Sequence, residues 1–200
     1  AWRAARRRSP SPSARGPHAG TATGTRWSPN LLDAAVAMVA RAGDSALFDT
    51  FLQRMPKEPD PATQRRYLMA LTGFEDPALA ARAQELYFSD TVKTQDVASF
   101  ITGLLANRTG RETWWAQMQK RWKDVVARTG SAPMLLRRIV EAMGILRTRE
   151  QLEAVKALLQ ANPVPEAQQA TAQTLERLSQ DVALRERCGA EVSAWLKKQP

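Results

Sequence analysis

Residues 110–128 read GRETWWAQMQKRWKDVVAR, and their apolar side chains recur at intervals of three and four. This spacing places the side chains on one face of an α-helix, where they can pack against a neighbouring helix. The stripe consists of Trp115, Met118, Trp122, Val125 and Val126. We therefore expect the rings of Trp115 and Trp122 to lie in a core rather than to stack on a ligand, with Trp114 at the edge of the stripe.

The same helical period continues on both sides of this segment. Apolar residues repeat in residues 47–55, LFDTFLQRM, and again in residues 152–159, LEAVKALL. No segment combines strict alternation of apolar and polar residues with the β-branched enrichment that is typical of strands. The sequence therefore predicts an all-α fold.

Residues that are typical of helix starts recur along the chain at regular distances. Four prolines occupy positions typical of a first helical turn, and three of them follow a residue that can cap a helix; the pairs are Ser28-Pro29, Asp60-Pro61 and Asp76-Pro77, and the fourth proline is Pro133. Thr109 with Glu112, and Thr148 with Gln151, have the spacing of capping boxes. These signals and the apolar periods predict helices at residues 29–42, 44–54, 61–72, 77–88, 94–106, 110–128, 133–144, 148–161, 165–180 and 182–198.

Alternate predicted helices begin at residues 29, 61, 94, 133 and 165. A spacing of about 32 to 39 residues is expected when each unit is an antiparallel helix pair stacked on the next pair. No clean repeat consensus accompanies it. We therefore predict an irregular α-solenoid of HEAT- or armadillo-like pairs over residues 30–200.

Residues 1–29 differ in composition from the rest of the chain. They contain six arginines, no acidic residue and four prolines, and they supply six of the nine net positive charges. Such a segment is expected to be disordered. It could be an arm that binds nucleic acid through its arginines, or a non-native leader; the abrupt change at Asn30 favours the second interpretation. Since residues 30–200 are nearly neutral, we regard nucleic acid as an unlikely partner.

Few residues of the chain could perform chemistry. His18 is the single histidine, so the paired histidines of a catalytic zinc site, or the histidine base of a cysteine enzyme, are absent from the folded part. Cys188 lies four residues from Leu184 and from Val192, which predicts a small core residue. No glycine-rich phosphate loop is present, and we expect this chain alone to hold no cofactor and to have no enzymatic activity.

Neither a membrane-spanning apolar run nor a signal peptide is evident in the sequence. We therefore expect no membrane association. A cytoplasmic location is favoured.

One central block carries a resemblance to a known family. It contains Thr94-Gln95-Asp96-Val97, then Gly103, then Asn107 through Arg111, and then Trp115 and Trp122. This block resembles a segment of the puromycin-sensitive, alanyl and endoplasmic-reticulum aminopeptidases, in which N-x-x-G-R is followed by two tryptophans a heptad apart. Residues 148–159 and the closing Trp195-Leu196 pair are similar to later helices of that family. The shared positions are Asp96, Asn107, Gly110, Arg111, Trp115, Trp122, Trp195 and Leu196.

The resemblance implies a role within a larger gluzincin zinc aminopeptidase. In that family the zinc and exopeptidase motifs lie in earlier domains, and the helical C-terminal domain encloses the peptide chamber and supports domain closure. The implied partners are the catalytic domain of the parent enzyme and its peptide substrates, and the implied zinc belongs to that parent. The alternative is a free-standing α-solenoid that binds a protein or a peptide.

Two further residues are candidates for contact with a peptide. Arg137 and Arg138 interrupt the apolar pattern of residues 135–143, so at least one should project from its helix. An ordinary solvated helix edge would explain them. If the helix instead lines the chamber that the resemblance implies, a guanidinium there could attract the C-terminal carboxylate or the acidic side chains of a long peptide.

Overall fold

The structure is a computed structural model that describes residues 28–130 and 132–199. This part of the chain contains ten α-helices and no strand, which confirms the all-α prediction. The helices are α1 Pro29–Arg41, α2 Ser45–Arg54, α3 Pro61–Leu71, α4 Pro77–Tyr87, α5 Val97–Ala106, α6 Arg111–Lys120, α7 Trp122–Ala127, α8 Pro133–Ala142, α9 Arg149–Ala161 and α10 Gln168–Leu196. The leader proposed for residues 1–29 lies almost entirely outside the described residues.

Most predicted start signals act as helix caps. The carboxylate of Asp60 accepts hydrogen bonds from the backbone N–H groups of Ala62 and Thr63, and Asp76 caps α4 in the same way. At α9, Thr148 and Gln151 form the predicted capping box, in which each side chain binds the other's backbone N–H. These contacts satisfy donors that a helix start otherwise leaves free.

The capping box predicted for Thr109 and Glu112 is wrong. Gly110 is the N-cap residue of α6, and no side chain caps that helix directly. The Asn107 Oδ1 instead accepts from the backbone N–H groups of Thr109 and Gly110, at 3.0 and 3.1 Å. An asparagine in the preceding turn thus takes over the role that the spacing had assigned to Thr109.

Two predicted boundaries differ from the structure. The predicted helix at 110–128 is broken at Arg121, whose φ of −113° and ψ of 30° leave the helical region. The guanidinium of Arg121 lies over the Phe88 ring at 3.4 Å from its centroid. Conversely, the two helices predicted from residue 165 onward form the single helix α10, because no proline or glycine interrupts it near Asp181.

Helices that begin at the predicted period pack against each other in order. α1 contacts α3, α3 contacts α5, α5 contacts α8, and α8 contacts α10. The intervening helices also pack against these helices, as in the contacts of α2 with α3, α4 with α5 and α9 with α10. Packing between alternate helices is the arrangement expected of stacked helix pairs, and it supports the solenoid prediction.

Aromatic side chains form much of the core beneath α4, α6 and α7. Trp114 is fully buried and meets the rings of Tyr87 and Phe88 at centroid distances of 5.2 and 5.8 Å. Trp115 and Trp122 are also buried, as the period predicted. The edge position expected for Trp114 is wrong, because Tyr87 and Phe88 at the end of α4 cover its ring.

A buried hydroxyl ties this aromatic cluster to α7. The Tyr87 Oη donates a hydrogen bond of 3.0 Å to the carbonyl oxygen of Val125. Burial raises the pKa of the Tyr87 phenol well above its usual range, so the group stays protonated and remains a donor.

The burial of the tryptophans predicts large effects on stability. Trp115→Ala and Trp122→Ala should each lower the free energy of unfolding by about 3 to 5 kcal/mol, because each removes a buried ring and leaves a cavity. Trp195→Ala is a matched control: that ring is 60% exposed, and we expect a change below about 0.5 kcal/mol. Urea denaturation measures all three. Near-neutral effects at Trp115 and Trp122 would contradict their burial.

Candidate functional site: an arginine row across alternate helices

Helices α1, α3, α5, α8 and α10 pack against each other in this order, and we call them the alternate-helix layer. A row of polar side chains crosses the first four of these helices. It begins at Asp33 on α1, whose Oδ1 accepts a hydrogen bond of 2.5 Å from the Nε of Arg66 on α3. The row continues through Arg65 to Ser99 on α5 and ends at Arg138 on α8. We call these five residues the arginine row. Each of its contacts joins neighbouring helices of the layer.

The hydroxyl of Ser99 is the meeting point of two guanidinium groups. The Nη2 of Arg65 and the Nη2 of Arg138 each donate to the Ser99 Oγ at 3.0 Å. Arg65 also donates through its Nε to the Oδ1 of Asp96, at 3.0 Å. Asp96 is largely buried, while the Arg65 side chain is about half exposed, so the ion pair has one solvated partner.

The two arginines predicted as peptide contacts have different surroundings. Both project outward from α8, as their position in the apolar pattern indicated. The Nε of Arg137 forms an ion pair of 2.9 Å with Glu141, one turn further along the same helix. Arg138 forms no ion pair with any described residue, and the neutral Ser99 hydroxyl is its hydrogen-bond partner. Its charge is therefore the less compensated of the two.

A groove of about 770 Å³ lies beside the row, between α1, α3 and α5. Val36, Met69 and Ala106 supply apolar surface, and Arg41 and Glu75 form an ion pair of 2.8 Å at its edge. Arg108 also lines the groove and has no ion pair among the described residues. The groove therefore combines apolar surface with a surplus of positive charge, which suits an extended peptide with acidic groups.

Sequence reasoning missed Arg65, Arg66 and Ser99. One signal was available: Arg65-Arg66 on α3 repeats the doublet Arg137-Arg138 on α8, and both helices begin at the predicted period. The role of Ser99 had no such signal, because its partners lie 34 and 39 residues away in the sequence.

The N-x-x-G-R motif has a structural explanation. The Asn107 side chain is buried; its Nδ2 donates to the carbonyl oxygens of Thr72 and Phe74 at 2.9 and 2.7 Å, while its Oδ1 holds the turn into α6. Asn107 thereby fastens the end of α5 to the loop that follows α3. These contacts give Asn107 a structural role.

Gly110 and Arg111 complete the same turn. A Cβ on Gly110 would approach the Ala80 Cβ and the Gln84 Nε2 to 3.0 Å, so α4 packs closely here because the residue is glycine. Arg111 donates to the carbonyl oxygens of Leu105 and Ala106, at 2.6 and 3.2 Å, and so satisfies acceptors at the end of α5. Partial burial lowers the pKa of this guanidinium from its usual value, with a contribution from the positive charge of Arg147.

The C-terminal half of α10 differs from what its sequence suggested. Trp195 and Leu196 are mostly exposed, as are Leu184 and Val192. Cys188, which lies between the last two, is only partly buried. The prediction that Cys188 is a core residue is therefore wrong, because the apolar residues one turn away on either side of it are exposed.

Within residues 28–130 and 132–199, no group of three or more histidine, cysteine or acidic residues could hold a metal ion. His18 lies outside these ranges. In the same part of the chain, no helix combines the length and the apolar character needed to cross a bilayer.

Comparison with known proteins identifies the class. Residues 14–180 match the family model described as the ERAP1-like C-terminal domain. Since this match covers most of the chain, the chain belongs to that family. The expected resemblance to an aminopeptidase C-terminal domain is thereby confirmed.

Two curated relatives carry aminopeptidase names. The chain is 26% identical over 119 residues to aminopeptidase N of Lactobacillus helveticus, a match that covers 59% of this chain and 14% of that protein. It is 25% identical over 145 residues to aminopeptidase M1 of Arabidopsis thaliana, which covers 72% of this chain and 16% of that protein. The chain thus spans about a sixth or less of the length of these relatives.

The contacts of Asn107 generate a stability prediction. Asn107→Ala should lower the free energy of unfolding by about 2 to 4 kcal/mol. The substitution removes the hydrogen bonds that the amide makes to two carbonyl oxygens and two N–H groups. Asn162→Ala is the matched control, since that amide makes one hydrogen bond, to Leu158 in its own helix end. We expect a loss below about 1 kcal/mol there. Equal denaturation midpoints for the two variants would contradict the assigned role of Asn107.

Proposed function

We propose that this chain is the non-catalytic C-terminal domain of a zinc aminopeptidase, in which it encloses the peptide chamber and supports domain closure. The family match and the aminopeptidase relatives support the parentage. The arginine row is the observation that carries the chamber role. It presents guanidinium groups from α3 and α8, with the Ser99 hydroxyl of α5 between them, next to a groove that Arg65 and Arg66 line, and such a surface suits contact with an extended peptide.

The catalytic domain of the parent enzyme and this chain would have different roles. The zinc ion and the residues that polarise the scissile bond would belong to the catalytic domain, which is the proposed partner of this chain. This domain would bind the peptide at a distance from the reacting bond. Binding energy gained there helps to position the substrate without taking part in the chemical step. On this proposal the chain alone does not hydrolyse peptides.

The exposed side of α1 supports contact with another part of the parent. Leu31, Met38 and Val39 are each about half exposed or more, and they lie on the first helix of the layer. A helix within a solenoid normally buries such residues against its neighbour. A free-standing scaffold remains the alternative function, but a scaffold of that kind does not account for the family match over residues 14–180.

The chamber role predicts a selective kinetic effect. In the full-length parent enzyme, Arg138→Ala should raise KM for a peptide of about ten residues by about threefold to tenfold, because a charged contact is lost. Hydrolysis of a single-residue anilide should be unchanged, since that substrate does not reach this face. Arg137→Ala should have a smaller effect, because Glu141 already pairs with that guanidinium.

Two other results of this kinetic comparison would contradict the prediction. Negligible changes for both substrates would reject the chamber role. Equal losses for both substrates would indicate impaired folding or closure, and thermal denaturation of the variant enzyme separates those two causes.

The exposed face of α1 predicts self-association of the isolated chain. Sedimentation velocity should show reversible oligomers that increase with concentration, and Met38→Lys with Val39→Lys should shift them toward monomer. Met134→Lys is a suitable control, because Met134 is also mostly exposed but lies on α8. A monomer at all concentrations, or an equal effect of the control, would contradict this use of α1.

A further inference from the structure

The charges around Ser99 are unequally compensated. Asp96 pairs with Arg65, Glu141 pairs with Arg137 and Asp33 pairs with Arg66. No carboxylate among the described residues pairs with Arg138, although its Nη2 lies on the same hydroxyl oxygen as the Nη2 of Arg65. The two guanidinium groups repel each other, and Asp96 offsets only the charge of Arg65, so a further anion near Arg138 would reduce that repulsion.

The geometry of the two donors restricts the chemistry of that anion. Asp96 accepts from the Nε of Arg65 and Ser99 accepts from its Nη2, so the Nη1 has no hydrogen-bond partner among the described residues. A planar carboxylate has two acceptor oxygens, and it could accept from Arg65 with one oxygen and from Arg138 with the other. The Ser99 hydroxyl can rotate to donate its own hydrogen to the same group. One donor comes from each of α3, α5 and α8.

We propose that Arg65, Ser99 and Arg138 form a carboxylate-binding subsite that selects peptides with an acidic side chain in their interior. Arg138 supplies the uncompensated charge, Ser99 holds the two guanidinium groups in position, and Asp96 orients Arg65. The proposal deepens the proposed function and rests on it for its biological setting. The binding itself is a property of this chain and is measurable without catalysis.

An interior side chain fits the surroundings better than a small free anion does. Arg65 lines two grooves, one of about 770 Å³ between α1, α3 and α5, and a second of about 850 Å³ beside the start of α3. The second groove has an apolar floor that includes Leu52, Met55 and Leu68. A peptide lying across this surface could thus place apolar side chains in the grooves and an acidic one between Arg65 and Arg138.

Direct binding to the 200-residue chain tests the subsite. The probes are nonapeptides with an acetylated N-terminus and an amidated C-terminus, identical except for glutamate or glutamine at the central position. Isothermal titration should show that the glutamate peptide binds about threefold to tenfold more tightly, as expected for a charge-assisted hydrogen bond at a partly exposed site. The difference should shrink as the salt concentration rises from about 50 to about 500 mM.

Variants of the two adjacent arginines provide a matched comparison. Arg138→Gln should abolish the preference for glutamate, whereas Arg137→Gln should keep it, because Arg137 is already paired with Glu141. Arg138→Lys should keep part of the preference, since lysine retains the positive charge but lacks the planar guanidinium that can donate two hydrogen bonds to one carboxylate. Circular dichroism of each variant confirms that it is folded, and the unaltered binding of the glutamine peptide provides a second check.

Three results would overturn the subsite. The first is equal affinity of the wild-type chain for both peptides, and the second is an equal loss of preference in the Arg137→Gln and Arg138→Gln variants. The third is tighter binding only when the glutamine peptide carries a free C-terminal carboxylate, which would assign the site to chain ends. None of these results depends on peptidase activity. Failure of the subsite would therefore leave the proposed function of the chain unaffected.

Discussion

The arrangement of the described helices depends on one buried amide. Asn107 donates to two carbonyl oxygens at the end of α3 and its loop, and it accepts from two N–H groups that begin α6. Those four contacts join the alternate-helix layer to the helices that cover it. Because a buried amide must satisfy both ends at once, its partners are held in one relative position. The close approach of α5 to Thr72 at Gly103 acts in the same place.

The arrangement of the arginine row follows from that anchoring, since Arg65, Arg66 and Asn107 line the same groove. Once α3 and α5 are fixed against each other, Arg65 lies within hydrogen-bonding distance of Asp96 and Ser99. Because α8 packs on α5, it brings Arg138 to the same hydroxyl. Asn107, Gly110 and Arg111, on which the resemblance was based, therefore act as structural supports. The residues proposed to meet a peptide are a different set, and they include Arg65 and Ser99, to which the resemblance did not point.

The proposed binding role agrees with the kinds of interaction present. Ion pairs with a solvated partner, such as Arg66–Asp33 in the arginine row, contribute little to stability on their own, so the row is not the main source of stability. Buried tryptophans and the Asn107 contacts serve that purpose. A surface that can change without loss of the fold is suited to setting which peptides are held and how firmly.

The sequence by itself determined the helical class, the period at which alternate helices begin and most helix starts, because these depend on local side-chain spacing and on caps such as Asp60, Asp76 and Thr148. It also determined the burial of Trp115 and Trp122. Only the tertiary structure decided that Trp114 is the most deeply buried of the described tryptophans, that Cys188 lies outside the core, and that Arg65 and Arg138 meet at Ser99. Each of these depends on which helix covers a given face, and residues more than thirty positions apart carry no local signal of their contact.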